Sequence, residues 1–384
     1  MDIAKFHSGQ RRYLIQRPEK AWAFVPNSLP PHLDLARLAL PLASTSIAIG
    51  ELKGAARRLQ NPYMLIGPLQ RREALTSSAM EGTITTLGDL VLEEAGDDPP
   101  QGDDAREAFN YVRALEASNQ MLETLPISHR VIKEAHAILL RGLSPARGAG
   151  KRPGEYKIVQ NAVGRRGENI HTARYVPPPP LETLKCMDEL EVYINRTDRS
   201  DADRLIDIAL VHYQFESIHP FDDGNGRIGR MLVTLMAEHS GLLDLPLLHV
   251  SAFLEKNKDE YIDRMFAVST QALWEEWIIF FLRAIEVSSK EATAIVDRII
   301  QLQSELRYTA QALNKSPRLL MIIDALFGKS WTTVKEVQAL CGITFPTAQS
   351  DLKSLVRAGL LQELQGRASK LYYSPDVLAL SDRT

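Results

Sequence analysis

From residue 33 to about residue 313, apolar residues return at spacings of three and four, with one long interruption over 148–180. That period is the one an α-helix presents along a single face. A chain patterned this way over most of its length is expected to be all-α. The spacing predicts helices over 68–80, 105–125 and 128–143, from Leu181, from Asp203, over 231–239, and from 258 to about 313. Before residue 33 the prolines at 18, 26, 30 and 31 favour extended or turning backbone. The run EEAGDDPPQGDD at 93–104 reads as an acidic, solvated loop. Within the interruption, Gly and Pro at both ends enclose the β-prone KIVQNAV, which predicts a short hairpin among helices.

A boundary is expected at 314–317, and a unit of different style follows it. Its order is helix, Thr-rich turn, helix, turn, helix, then a hairpin turning around Gly366. Thr333 can cap a short helix that ends at Gly342. This is the layout of a winged helix-turn-helix. The expected division is a helical region at 1–104, a core at 105–313 and a winged helix at 318–384.

Composition limits the partners. The 384 residues carry a formal net charge of −3 and a pI near 6.3, so a nucleic-acid surface would have to be local. Only Cys186 and Cys341 are present, without metal-ligand spacing, which fits a reducing compartment. The opening MDIAKFHSGQRR has no signal-peptide core, and no run of about 18 apolar residues appears. A soluble, cytoplasmic protein with no membrane span is expected.

The chemistry concentrates between two helical segments, in His219–Pro–Phe–Asp–Asp–Gly–Asn–Gly–Arg–Ile–Gly–Arg230. Gly224 and Gly226 permit backbone turns whose N–H groups converge on an anion. The following helix adds its positive end, and Arg227 and Arg230, three apart, place two guanidiniums on one face. Asp223 can hold Mg²⁺ beside a polyphosphate, and His219 can accept a proton near neutral pH. Alone, a histidine before proline, a GNG turn or two arginines would each be ordinary packing. Together in twelve residues they describe nucleotidyl transfer. No GxxxxGK[ST] occurs to suggest a Walker-type nucleotide site.

HPFDDGNGRIGR resembles the Fic family signature HxFx(D/E)GNGRxxR at every defined position. The resemblance implies a Fic helical fold with a small β-hairpin flap, and transfer of AMP from ATP to a Ser, Thr or Tyr hydroxyl of a target protein, which could be the protein itself. By position it implies His219 as base, Asp223 as Mg²⁺ ligand and Phe221 as the loop's anchor. Gly224, Asn225 and Gly226 would hold the α-phosphate. Arg227 and Arg230 would hold the β- and γ-phosphates, with Ile228 and Gly229 between them. KIVQNAVG resembles the flap, which would bring Asn161, Ala162, Val163 and Gly164 near the nucleotide and receive the target as an added strand. Lys256, Asn257 and Tyr261, in the segment after the signature, are candidates for the adenine pocket.

Ser77–Ser–Ala–Met–Glu81–Gly82 resembles the family's inhibitory motif (S/T)xxxE(G/N). A carboxylate pairing with Arg230 would occupy the guanidinium that the γ-phosphate needs. Glu81 is therefore expected to act as a brake, and some relatives with such a glutamate remove AMP instead. In a winged helix the outward candidates are Thr347, Gln349, Ser350, Lys353 and Arg357, with Arg367 and Lys370 in the wing. That modest basic surface suits DNA or a protein partner, including a second copy in a homodimer. The rival reading is an ATP-sensing transcription regulator, which would need the phosphate cradle but no base.

Overall fold

The computed structural model describes every residue except 60, 62, 97–101, 149, 165–167, 199, 314–315, 365–369 and 382–384. Sixteen α-helices occur among the described residues. They are α1 Ser8–Arg11, α2 Leu35–Ala56, α3 Tyr63–Met80, α4 Leu87–Glu94, α5 Asp103–Leu122 and α6 His129–Leu139. Next come α7 Pro180–Ile194, α8 Asp201–Ile218, α9 Asn225–His239, α10 Ser251–Lys256, α11 Lys258–Gln271 and α12 Trp274–Ala312. The last are α13 Arg318–Lys329, α14 Val334–Cys341, α15 Phe345–Arg357 and α16 Pro375–Ala379. Five three-residue strands complete the set: β1 Leu14–Gln16, β2 Trp22–Phe24, β3 Trp331–Thr333, β4 Gln362–Leu364 and β5 Leu371–Tyr373. The chain is mostly helical, as its periodicity predicts.

Two compact units are each built from two stretches of chain. One comprises 1–49 and 110–288, the other 50–109 and 289–384.

The centre of the first unit is α8 against α9. From Leu205 to Phe215 every residue of α8 is buried, and so is Met231–Ala237 of α9. Trp277, fully buried, donates its indole N–H to the Ala209 carbonyl at 2.9 Å. Ser200 and Asp203 close a capping box at the start of α8. At the edge, β1 and β2 pair antiparallel with Leu14 opposite Phe24. Phe24 packs with Phe6, Tyr175 and Val176 in a separate apolar cluster. The apolar helix α2 is long enough and apolar enough to cross a membrane, and a third of its apolar window is buried within the protein.

In the second unit, α3 packs on α13 so closely that a Cβ at Gly67 would lie 2.2 Å from the Gly328 carbonyl oxygen. Arg71, beside it, forms a buried pair with Glu94 at 2.8 Å and reaches Ser330 Oγ and the Gly328 carbonyl. The strand order is β3-β5-β4, all antiparallel. Thr333 caps α14 with Glu336 in a capping box, and Gly342 ends it in the left-handed conformation, both as expected.

Three expectations need correction. Helix α3 starts at Tyr63, ahead of Pro68; packing at Gly67 outweighs the hydrogen bond that proline removes. Glu93 and Glu94 belong to α4 and pair with Arg106 and Arg71, so they are not part of a solvated loop. The helical span from 258 to 313 holds α11 and α12, divided where Ala272 takes a left-handed φ of 59°. No strand forms within the described residues of 148–180. A single antiparallel bridge joins Val163 to Tyr175, and Lys157 and Asn161 bond to a neighbouring loop instead. The turn at Gly366 and the residue Arg367 lie outside the described residues.

Candidate active site

Helix α8 ends at His219, which takes the left-handed conformation (φ 49°, ψ 61°) and donates its N–H to the Phe215 carbonyl. Five residues later Gly224, also left-handed at φ 78°, opens α9. The loop between them therefore joins the carbonyl end of one helix to the N–H end of the next. His219 stands at the first, and Arg227 and Arg230 stand on the opening turns of the second. Both arginines are only 2% exposed.

Asn225 closes the loop on itself. Its Oδ1 accepts the Phe221 N–H at 2.8 Å, and its Nδ2 donates to the Phe221 carbonyl at 2.9 Å. Its carboxamide is thus occupied by the loop backbone. Phe221 is fully buried and stacks on the His136 ring, centroids 3.8 Å apart. His136 Nδ1 accepts the Gly154 N–H at 2.9 Å, so Nε2 carries the proton and faces the Asp223 carbonyl at 3.0 Å. Burial and the nearby Arg227 pull the His136 pKa down to about 4, which keeps that tautomer neutral.

A second strap comes from the segment read as the flap. Lys157 donates its N–H to the Pro220 carbonyl at 2.8 Å. Its ammonium reaches the carbonyls of Ile218 at 3.1 Å and His219 at 2.9 Å, and Asn161 Oδ1 at 2.8 Å. Asn161 Nδ2 donates to the carbonyls of His219 and Phe221. Burial lowers the Lys157 pKa to about 7, opposed by the Asp222 carboxylate.

Asp223 Oδ1 accepts the Gly224 N–H at 2.6 Å and Arg227 at 3.3 Å, and the side chain is 40% exposed. No cluster of three or more His, Cys, Asp or Glu side chains suited to a metal occurs among the described residues. One half-exposed carboxylate beside the N-terminus of α9 fits Mg²⁺, which keeps most of its shell as water and substrate oxygens. A cleft of about 450 Å³ opens beside His219, lined also by Val163, Gly164, Arg174, Glu216 and Phe266.

The remaining candidates separate. Ala162 lies next to the Val163 bridge, and Gly226 lies in the first turn of α9. Ile228 is buried among core residues, and the Gly229 carbonyl turns back to His212 Nδ1 at 3.0 Å. Tyr261 is buried, with its hydroxyl 2.9 Å from His212 Nε2. Asn257 caps its own helix through the Phe253 carbonyl, and Lys256 is exposed. Glu81 belongs to the second unit, just past α3, where its N–H bonds the Ser78 carbonyl. Sequence reasoning missed His136, Lys157 and His212. Of these only His212 left a trace, as a polar residue inside the apolar run 205–213.

The Fic/DOC family N-terminal model matches residues 40–120, and the Fic/DOC family model matches 126–237, together about half the chain. The protein adenylyltransferase Fic of Drosophila yakuba is 28% identical over 198 residues, covering 50% of this chain and 36% of that protein. Its Drosophila willistoni counterpart is 28% identical over 213 residues, covering 54% and 38%. The chain thus spans little more than a third of the length of these curated relatives. A Fic family protein from Desulfovibrio desulfuricans shares the fold, with a TM-score of 0.57 at 21% identity, over 90% of this chain and 98% of that one. A Fic protein of C. elegans aligns with a TM-score of 0.51 at 21% identity, over 70% and 74%. Family models, relatives and fold agree with the loop's residue pattern, and the chain belongs to the Fic/DOC family.

Proposed function

We propose that this protein transfers AMP from ATP to a Ser, Thr or Tyr hydroxyl of a protein, with release of pyrophosphate. The observation that carries this reading is the placement of His219 at the carbonyl end of α8, across a short loop from the N–H end of α9 with its buried arginines. The backbone N–H of Gly226, and that of Gly224 once Asp223 releases it, bind the triphosphate together with Arg227 and Arg230. His219 takes the proton of the incoming hydroxyl, which attacks the α-phosphorus in line while pyrophosphate leaves. Asp223 would hold Mg²⁺, which when bound neutralises phosphate charge. Asn225 serves by fixing the loop through Phe221, rather than by reaching the phosphate with its side chain. Val163 and Gly164 border the cleft, and residues 161–164 would receive the target backbone.

Glu81 acts in this reading as a brake on Arg230. The unit after residue 317 acts as a winged helix: a sheet of order β3-β5-β4 beside α13, α14 and α15 supports it. On α15, Ser350, Lys353 and Arg357 are exposed, as a DNA or protein partner would require. The cytoplasm is the proposed compartment, since Cys186 and Cys341 are both free thiols.

The test is incubation of wild type, Glu81→Gly and His219→Ala with Mg²⁺ and ATP labelled on the α-phosphate. Label on Glu81→Gly, weak on wild type and absent from His219→Ala, is the expected result. No label on any protein, with cell extract present as substrate, would overturn transfer and direct attention to AMP removal or nucleotide sensing.

A further inference from the structure

A lysine on the strap is nearly as buried as the loop it grips. Lys157 is 3% exposed, and its ammonium has three acceptors at 2.8–3.1 Å, one for each N–H it owns. Two are the carbonyls of Ile218 and His219. These belong to the closing turn of α8, where backbone oxygens have no helical partner and the dipole is negative. The third, Asn161 Oδ1, orients the amide whose N–H₂ also bonds the carbonyls of His219 and Phe221. The Lys157 backbone binds Pro220 as well. Residues 218–221 are thus held from one side at every carbonyl by the pair Lys157 and Asn161.

The target of this grip is unusual. His219 has a positive φ without being glycine, a conformation that persists only where its surroundings impose it. Its own N–H bond to Phe215 fixes one side of the turn, and its carbonyl, bound twice, fixes the other. Replacing either bond frees the peptide plane that carries the imidazole.

We propose that Lys157 is the positioning residue for His219: its ammonium locks the left-handed turn on which the imidazole is mounted. The proposal rests on the reading of His219 as the base. Lys157 also joins the base to the strap that borders the cleft through Val163 and Gly164. Displacement of that strap by a bound target therefore acts on the His219 peptide directly. The phosphate cradle lies at the other end of the loop, where His136 bonds the Asp223 carbonyl and Asn225 accepts the Phe221 N–H, neither through the Lys157 ammonium. Loss of the lysine should consequently impair transfer without impairing ATP binding.

The experiment uses the full chain with Glu81→Gly, alone and combined with Lys157→Met, Lys157→Arg or Lys157→Ala. Lys157→Met keeps most of the apolar stem and should lower kcat about 100-fold, the scale of a base displaced by about 1 Å. The ATP dissociation constant should stay within about threefold, by the same separation of steps. Lys157→Arg, which restores charge and donors, should recover part of the loss. Ethylammonium added to Lys157→Ala should raise its rate, whereas ethanol at equal concentration should not. The rate at which diethyl pyrocarbonate modifies His219, read by mass spectrometry, should differ between Lys157→Met and its parent whether or not transfer occurs. Equal kcat in Lys157→Met and its parent overturns the proposal, as does a loss of ATP binding that matches the loss of rate. A changed modification rate with no transfer in any variant leaves the positioning role standing and removes the proposed function.

Discussion

Asn225→Ala should lower the melting temperature of the protein with no nucleotide present. The side chain is 2% exposed, and both of its polar atoms bond the backbone of Phe221, itself fully buried. Truncation strips the Phe221 N–H of its acceptor, at a cost of about 1–3 kcal/mol for a buried unpaired donor. The Phe221 carbonyl keeps the Asn161 amide at 3.0 Å, so it adds little. The space left by the carboxamide adds about 1 kcal/mol. The total, about 2–4 kcal/mol, corresponds to a fall of roughly 5–12 °C for a unit of this size. The assay is differential scanning calorimetry of wild type and variant without ATP. If Asn225 served only to touch a phosphate, the unliganded variant would melt with wild type. A shift of less than about 1 °C, small beside the noise-free expectation above, would refute the loop-closure argument.

Acid should destabilise the protein over a defined window. His212, fully buried with its ring bonded to Gly229 and Tyr261, has its pKa lowered to about 3 by burial. The unfolded chain protonates first, so stability is intact above about pH 6.5 and declines toward pH 3, with His212 contributing roughly 3–6 kcal/mol; urea titrations across that range read the slope, and His212→Gln should reduce it, leaving the share of the buried His136. Gly224→Ala forces a side chain onto a φ of 78°, with Cβ 3.3–3.5 Å from Leu139 and His136. A strain of roughly 1–2 kcal/mol should follow and weaken ATP binding about tenfold, measured by calorimetry. Gly67→Ala places a Cβ against the Gly328 carbonyl and should destabilise the second unit by about 1–3 kcal/mol; hydrogen exchange should rise in α3 and α13 and stay level in α8 and α9.

The signature loop was legible because its residues are contiguous: twelve positions hold His219, Asp223 and both arginines. The helices were legible for the same local reason. What the sequence concealed depends on partners far along the chain. Nothing near Lys157 indicates that its ammonium will be buried against residues 61 and 62 positions away. The β-prone letters of KIVQNAV pointed to a hairpin, but its hydrogen bonds go to that loop, leaving one bridge. Ala272 ends a helix in a conformation that glycine usually announces, so the break between α11 and α12 had no local sign. Asn225 was placed correctly in the loop, yet only the geometry distinguishes a side chain aimed at a ligand from one spent on its own backbone.

Because the second unit joins residues 50–109 to 289–384, its halves leave the ribosome at different times. Roughly 180 residues separate them, which at about 5–20 residues per second is a delay of roughly 10–40 s. The chain of the first unit is complete at residue 288, before α13 has been made. During that interval α3 lacks the helix it packs on, with the Gly67 face uncovered and Arg71 without Ser330. The segment carrying Glu81 thus gains its support only after α13 has been made, and a nascent chain passes through a stage in which the His219 loop can be formed while the second unit is still unfinished.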